Sequence, residues 1–279
     1  MLRQFDNEVM SSFMLYVDNL IQQKGNAYYN ATGLFYPVSG QYYGRYSYSC
    51  PFKQLVNDAS LTGNPIVLDS VFLNGNEITV GESGLLSINH YQGSLDFDTK
   101  LASSDVLSGS FSVKEFNVYM TSEPEDSLIY EKKFFLNPRY EQSYSGVSPS
   151  SLTLPAVFIK KRGGDSQPFC LGTADESLVD VRAIVISDSQ YLNDAVCSIL
   201  KDSHQRRFKI LTDLPLDKRG GYTGMAYNYT GLASSAPIGP LIKDVEETNL
   251  TANNSSFKPL INDLYVSFVD FEISYIRSH

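Results

Sequence analysis

Leu178-Val179-Asp180-Val181-Arg182-Ala183-Ile184-Val185-Ile186-Ser187 is the stretch on which the fold turns. Val179, Val181, Ala183 and Val185 share one side, and Ile184 and Ile186 make the other side apolar too, the pattern of a strand buried on both faces. Asp188 follows at a helix-capping position, and Tyr191, Leu192, Ala195, Val196, Ile199 and Leu200 then recur at three and four residue spacing. A buried central strand running straight into a helix predicts the α+β class. Asp188-Ser189 also stands where an α/β enzyme places an active residue, but the triplet with Ser187 is sufficient as a helix N-cap.

Working outward, the end of the chain from Leu264 to Ile276 is a long strand. Leu264, Val266 and Phe268 alternate on one face and Val269, Phe271, Ile273 and Tyr275 on the other, and the phase slip predicts a bulge at Phe268-Val269. At the other end Val9, Met10, Phe13, Met14, Val17, Leu20 and Ile21 form one stripe. This predicts an amphipathic helix over 7–23, capped by Asp6 and stopped at Lys24-Gly25. Such a helix either covers a core or docks on a neighbouring subunit. Because the β-rich body has apolar strands of its own, loss of the first 24 residues is expected to harm assembly more than folding.

Between these ends, Pro51 to Ser60 predicts a short helix carrying Phe52, Leu55, Val56 and Ala59. Asn74-Gly75 is a hairpin turn between Ile66–Leu73 and Asn76–Val80, and with Leu85–Asn89 and the return through Leu95 and Phe97 it predicts a β-meander over 65–97, possibly protruding from the body. Phe111 to Met120 is expected as one strand with a bulge at Lys114-Glu115, partnered by Leu128–Leu136. The segment 137–151 is a long loop, Leu154–Lys161 a short strand, and 216–256 is expected to hold little regular structure. Lys161-Arg162-Gly163-Gly164 and Lys218-Arg219-Gly220-Gly221 look like tight basic turns. The whole is one domain over 1–279: an antiparallel or mixed β-sheet with an N-terminal amphipathic helix, a hairpin meander, one further packed helix and long loops.

Composition narrows the function. Lys and Arg total 22 against 31 Asp and Glu, a net charge of −9 with no basic stripe, which excludes a phosphate-neutralising nucleic-acid binder. An acidic surface suits only passage of DNA without binding. No apolar run approaches the roughly 18 residues of a membrane span, and the polar, acidic start is wrong for a secretory signal. Cys50, Cys170 and Cys197 show no zinc or redox spacing, and His90, His204 and His279 stand apart from other ligand types. The sequons at Asn30, Asn228, Asn249, Asn253 and Asn254 are expected as turn residues. Motifs for nucleophilic, nucleotide or zinc-dependent catalysis are absent, so no catalytic residue, cofactor or metal is expected.

The strongest functional signal is a run of tyrosines, Tyr28, Tyr29, Tyr36, Tyr42, Tyr43, Tyr46 and Tyr48, interleaved with Asn, Gly and Ser and a single charge, Arg45. Large stiff rings among adaptable polar residues are the composition of contact surfaces. These seven are the candidate interface residues, with half-buried β-domain tyrosines as the plain alternative. The same aromatic-polar mixture also suits a carbohydrate- or receptor-binding module, although the chain lacks Trp.

The order of parts carries a resemblance: an N-terminal helix, tyrosine-rich loops, Val71-Phe72-Leu73-Asn74-Gly75, then Gly81-Glu82-Ser83-Gly84, Tyr91-Gln92-Gly93-Ser94-Leu95-Asp96-Phe97 and Phe111-Ser112-Val113-Lys114-Glu115-Phe116-Asn117-Val118-Tyr119. In this pattern the chain resembles virion structural proteins of tailed bacteriophages, of marine and cyanobacterial type. The strand-helix unit 181–200 and the closing strand look like α+β ring subunits of the neck or tail terminator. The resemblance implies a non-enzymatic protein that forms a homo-oligomeric ring, a hexamer among the options, contacts adjoining virion proteins, lets DNA pass, and is assembled in the host bacterial cytoplasm. A tail or baseplate module that binds receptor carbohydrate is the alternative.

Overall fold

The computed structural model describes residues 5–42, 44–131, 135–136, 152–170, 174–212, 215–217, 221–249 and 264–278. Helix α1 (Phe5–Gly25) is followed by β1 (Tyr28–Leu34), β2 (Tyr36–Tyr42), β3 (Arg45–Ser49), β4 (Ser70–Leu73), β5 (Asn76–Thr79), β6 (Leu85–Asn89), β7 (Ser94–Phe97) and β8 (Leu107–Lys114). Two four-stranded sheets, ordered β1-β8-β4-β5 and β2-β3-β7-β6, share one core that includes Phe35, Leu85, Leu95, Phe97 and Phe111. Next come β9 (Asn117–Met120), a π-helical turn (Ser127–Glu131), β10 (Phe135–Leu136), β11 (Thr153–Leu154), β12 (Ala156–Cys170) and β13 (Ala174–Ser187). The chain closes with α2 (Gln190–Lys201), β14 (Arg207–Lys209), α3 (Tyr229–Ser235), β15 (Ile238–Asn249) and β16 (Tyr265–Ser278). A six-stranded sheet in the order β14-β15-β16-β13-β12-β9 joins the second half, so the protein is α+β.

The apolar stretch 178–187 is the interior strand its composition predicts. Val179, Val181, Ala183 and Val185 pack into the core under α1 and α2, while Ile184 and Ile186 enter a second core on the far face with Phe158 and Val266. The same two-faced burial corrects the reading of β16. Its register with β13 runs unbroken from Tyr265 to Ser278, so the slip at Phe268-Val269 is no bulge. Val269, Phe271 and Ile273 fill the helix-side core, and Val266 and Phe268 serve the opposite one.

Helix α1 is more deeply embedded than one stripe requires. Leu15 joins the seven apolar stripe residues as buried, and so do Ser11, Ser12, Asp18 and Gln22. A helix buried on most sides belongs to the interior of the domain. Its stop is also different from expectation: Asn26, not Gly25, takes the left-handed conformation (φ 46°).

The segment 51–60 forms no helix, because its backbone donors go elsewhere. Leu55 N donates to His90 O, Val56 N to Ser112 O and Ala59 N to Tyr227 O, each at 2.8 Å. Gln54 adds a side-chain rung to β9, with Nε2 on Val118 O at 2.8 Å and Oε1 on Val118 N at 2.7 Å. This irregular, buried segment ties the β-sandwich to the six-stranded sheet. The break at Lys114-Glu115 is likewise no bulge but the point where the chain crosses between the two, from β8 to β9.

The residues 65–97 do not form one meander. Asn74 and Gly75 take positive φ as the predicted hairpin turn (52° and 83°), but β4-β5 joins one sheet and β6-β7 the other. Residues 127–131 form the π-helical turn instead of a strand, and among the described residues of the segment Phe135 and Leu136 are extended. Within 216–256 the structure adds α3, capped by Asn228 Oδ1 on Gly231 N at 2.6 Å, and β15. The sequence does not announce β15, because Ile242 is buried while Asp244, Glu246 and Thr248 are exposed, which leaves little apolar alternation. β12 runs to Cys170, so Lys161-Arg162-Gly163-Gly164 lies inside a strand at a register shift and is no turn. The 137–151 loop and Lys218-Arg219-Gly220 lie outside the described residues.

Candidate functional site

The tyrosine run folds into β1, β2 and β3, and only part of it is surface. Tyr48 is a core residue, 6% exposed, edge-on to Phe97 at 5.5 Å, with its hydroxyl accepting from Leu101 N at 2.9 Å. That burial corrects its place among the interface candidates. Tyr29 and Tyr46 are half-buried against the same core, Tyr29 edge-on to Phe52 at 6.3 Å. Tyr28 donates to Thr62 O at 2.7 Å, and Tyr36 is half-buried. Tyr42 pairs through its backbone with Arg45, and Tyr43 lies outside the described residues.

What the run does assemble is one wall of a cleft of about 690 Å³. Tyr46 and Tyr48 stand two apart on β3 and so share a face, and Pro37 and Val38 of β2 add to the wall. The pairing of β2 with β3 is irregular between Pro37 and Gln41, which displaces this part of β2 from the ladder. The opposite wall is the β7–β8 connection, with Lys100, Leu101 and Asp105. This wall is pinned to the β4-β5 turn: Asn74 Nδ2 donates to Asp105 Oδ1 at 2.8 Å and Val106 N to Asn74 Oδ1 at 2.9 Å. An aromatic wall facing Lys100 and Asp105 suits an amphipathic guest, a ring stacked on Tyr46 with polar groups at the rim. Nothing in the spacing of residues 100–105 announces this half of the cleft; the contacts of Asp105 with Asn74 and of Leu101 with Tyr48 bring it there.

A second concentration of chemistry lies in the seam between sandwich and six-stranded sheet, and it is structural. Lys114 Nζ donates to both oxygens of Asp18, at 2.7 and 2.9 Å, with both side chains almost fully buried. Burial raises the Asp18 carboxyl above its ordinary range, and the Lys114 ammonium opposes that rise. Asp58 staples three segments, accepting from Asn19 Nδ2 at 2.8 Å, Ser60 Oγ at 2.7 Å and Tyr229 N at 3.0 Å. Burial also raises the hydroxyls of Tyr91, Tyr222 and Tyr227. Carboxylates engaged in this way hold segments together.

His90 bridges the same seam. Its Nε2 faces Leu68 O at 2.8 Å and its Nδ1 faces Gly224 O at 3.0 Å. Burial outweighs these two contacts and holds the imidazole pKa below its ordinary value. Between the ordinary value, about 6.5, and the lower folded one, the unfolded chain binds more protons. Stability therefore falls as pH drops through that window and levels off below it. Replacing His90 with Gln is expected to flatten the slope of urea stability between about pH 7.5 and 5; a slope equal to that of the wild type would contradict this account.

No protein family and no curated protein matches the chain. Function therefore rests on geometry.

The remaining candidates dissolve or separate. Burial pushes the Cys50 thiol to about 12 and Cys197 to about 11, so neither is a ready nucleophile. Asp188 does not cap α2; Ser189 is the N-cap residue and makes no side-chain capping bond. Among the described residues no cluster of three His, Cys, Asp or Glu is placed to hold a metal, and no helix is long and apolar enough to cross a membrane. Among the described residues the basic candidates form no common surface: Lys160, Lys161 and Arg162 lie on β12, whereas Arg207 lies on β14 at the opposite flank of the sheet, with Arg206 just before it.

Proposed function

We propose that this chain is a non-enzymatic structural protein of a tailed-phage virion, a ring subunit of the neck or tail terminator that joins tail to head and lets DNA pass. The observation that carries the reading is the outer half of β12. From Gly164 to Phe169 every residue is exposed, Phe169 at 56%, in a strand of 15 residues. A strand that covers no core returns little folding energy, and with no strand along its outer edge among the described residues it is a liability in a lone subunit and an asset in an assembly. The net charge of −9 suits a bore through which DNA slides. Partners are other copies of the chain and adjoining virion proteins, and the place of action is the virion, after assembly in the host cytoplasm.

Light scattering coupled to size exclusion, with negatively stained images, tests the reading. Closed rings that fail to retain double-stranded DNA at about 0.15 M salt support it. Submicromolar, salt-sensitive DNA binding overturns it. The tyrosine cleft supports one second reading, a carbohydrate- or receptor-binding tail module. For that reading, glycan binding by a monomer or trimer that is lost in Tyr46→Ala is the expected result.

A further inference from the structure

The six-stranded sheet has two flanks with strand edges left bare among the described residues. On one flank β9 pairs with Ala156–Ile159 of β12, and among the described residues no strand continues along the outer edge of β12 from Lys160 onward. On the other flank Gln205 and Arg206 cover β15 as far as Lys243, and among the described residues no strand pairs with the edge beyond it. Each bare edge holds a backbone donor that turns to the side chain of its own neighbour. Ser166 N donates to Asp165 Oδ1 at 2.7 Å on β12, and Val245 N donates to Asp244 Oδ1 at 2.9 Å on β15.

Charge sorts with the faces. On the helix side, Lys161 pairs with Asp6 of α1, and Glu247 pairs with Lys201 of α2. On the opposite face β12 presents Lys160 and Arg162, while β15 presents Asp244 and Glu246, both exposed. Arg162 reaches Asp270 at 3.4 Å but keeps 48% of its side chain exposed.

We propose, building on the ring reading, that the β12 edge of one copy pairs with the β15 edge of the next, continuing the sheet from subunit to subunit. Strand direction permits it. β12, β13, β16 and β15 alternate in direction, each antiparallel to its neighbour. A copy placed beside β15 without being turned over therefore offers β12 antiparallel to it, the geometry of the existing ladders. The faces also match, since Lys160 and Arg162 then lie on the same side of the sheet as Asp244 and Glu246 of the neighbour. A two-fold contact through β15 would oppose Asp244 and Glu246 to their own copies, which destabilises a cross-strand pair. Charge thus favours the head-to-tail contact of β12 on β15, which closes a ring or grows a filament. The bulge between Lys161 and Gly163, together with Pro168, limits the pairable part of β12 and discourages indiscriminate partners.

Charge reversal tests this by sedimentation at about 0.1 mM chain, where a junction of that dissociation constant or tighter is substantially formed. Lys160→Glu with Arg162→Glu, and separately Asp244→Lys with Glu246→Lys, are each expected to weaken self-association about 100-fold or more. Circular dichroism should stay that of the wild type. Mixing the two variants is expected to restore assembly as alternating complexes, because each reversed edge then meets its complement. Val245→Pro removes one edge donor of β15 between Asp244 and Glu246 without changing charge, and is expected to weaken assembly even if the reversal of Arg162 disturbs folding. Wild-type oligomers that ignore all three changes would overturn the edge junction and leave the ring reading standing. A wild-type chain that stays monomeric overturns both.

Discussion

Replacing Phe13 with Ala lowers the unfolding free energy by about 3–5 kcal/mol in urea titration, and removing residues 5–25 abolishes the cooperative transition. Phe13 is fully buried, with its ring 5.0 Å from Phe271 of β16 and 5.5 Å from Phe208 of β14. Alanine leaves a cavity between a helix and two strands that cannot all close on it. Deleting the helix also strips Val9, Met10, Met14, Leu15, Val17 and Ile21 from a core shared with Val179, Val181, Ala183 and Val185. One apolar face of the six-stranded sheet then meets water. This reverses the expectation that loss of the N-terminus harms assembly more than folding. A truncated chain that melts like the full one would show that the sheet is held by something other than α1.

Lys114→Met is expected to destabilise the protein by about 3–5 kcal/mol at neutral pH, because it leaves Asp18 buried with its charge uncompensated. The two bonds from Lys114 are the main effects opposing the burial that raises the Asp18 carboxyl. Without them the carboxyl takes up a proton more readily, so the cost of the variant shrinks as pH falls. The companion change Asp18→Leu in the same chain is expected to recover most of the loss, since a buried pair replaced by apolar groups is often neutral. Urea titration of the two single variants and the double variant closes the cycle. A single-variant loss below about 1 kcal/mol, the value typical of an exposed pair, would contradict the burial of this one.

Both charges are also a lesson in what sequence hides. Asp18 sits on the polar side of the α1 stripe and Lys114 at the end of β8, positions that suggest solvated charge. They are buried because the sandwich and the six-stranded sheet close over them, an event separated by 96 positions along the chain.

The interior strand 178–187, α2, the long closing strand, the N-terminal helix and the Asn74-Gly75 hairpin turn were all legible, because each carries its pattern locally: apolar residues at a period set by its own backbone. Composition likewise determined the acidic balance and the run of tyrosines along β1, β2 and β3. What only the tertiary structure decided is everything whose partners are remote. The segment 51–60 looks helical by spacing, yet its donors are claimed by His90, Ser112 and Tyr227. β15 and the outer half of β12 lack alternation because one or both of their faces meet solvent, and backbone pairing with β16 and β13 alone makes them strands. Tyr48 belongs to the core and Tyr46 to a cleft wall because β3 lies between β2 and β7, with the 100–105 segment folded over it. Periodicity records which side of an element is dry; which element dries it is decided by long-range packing, and that is not written in the spacing.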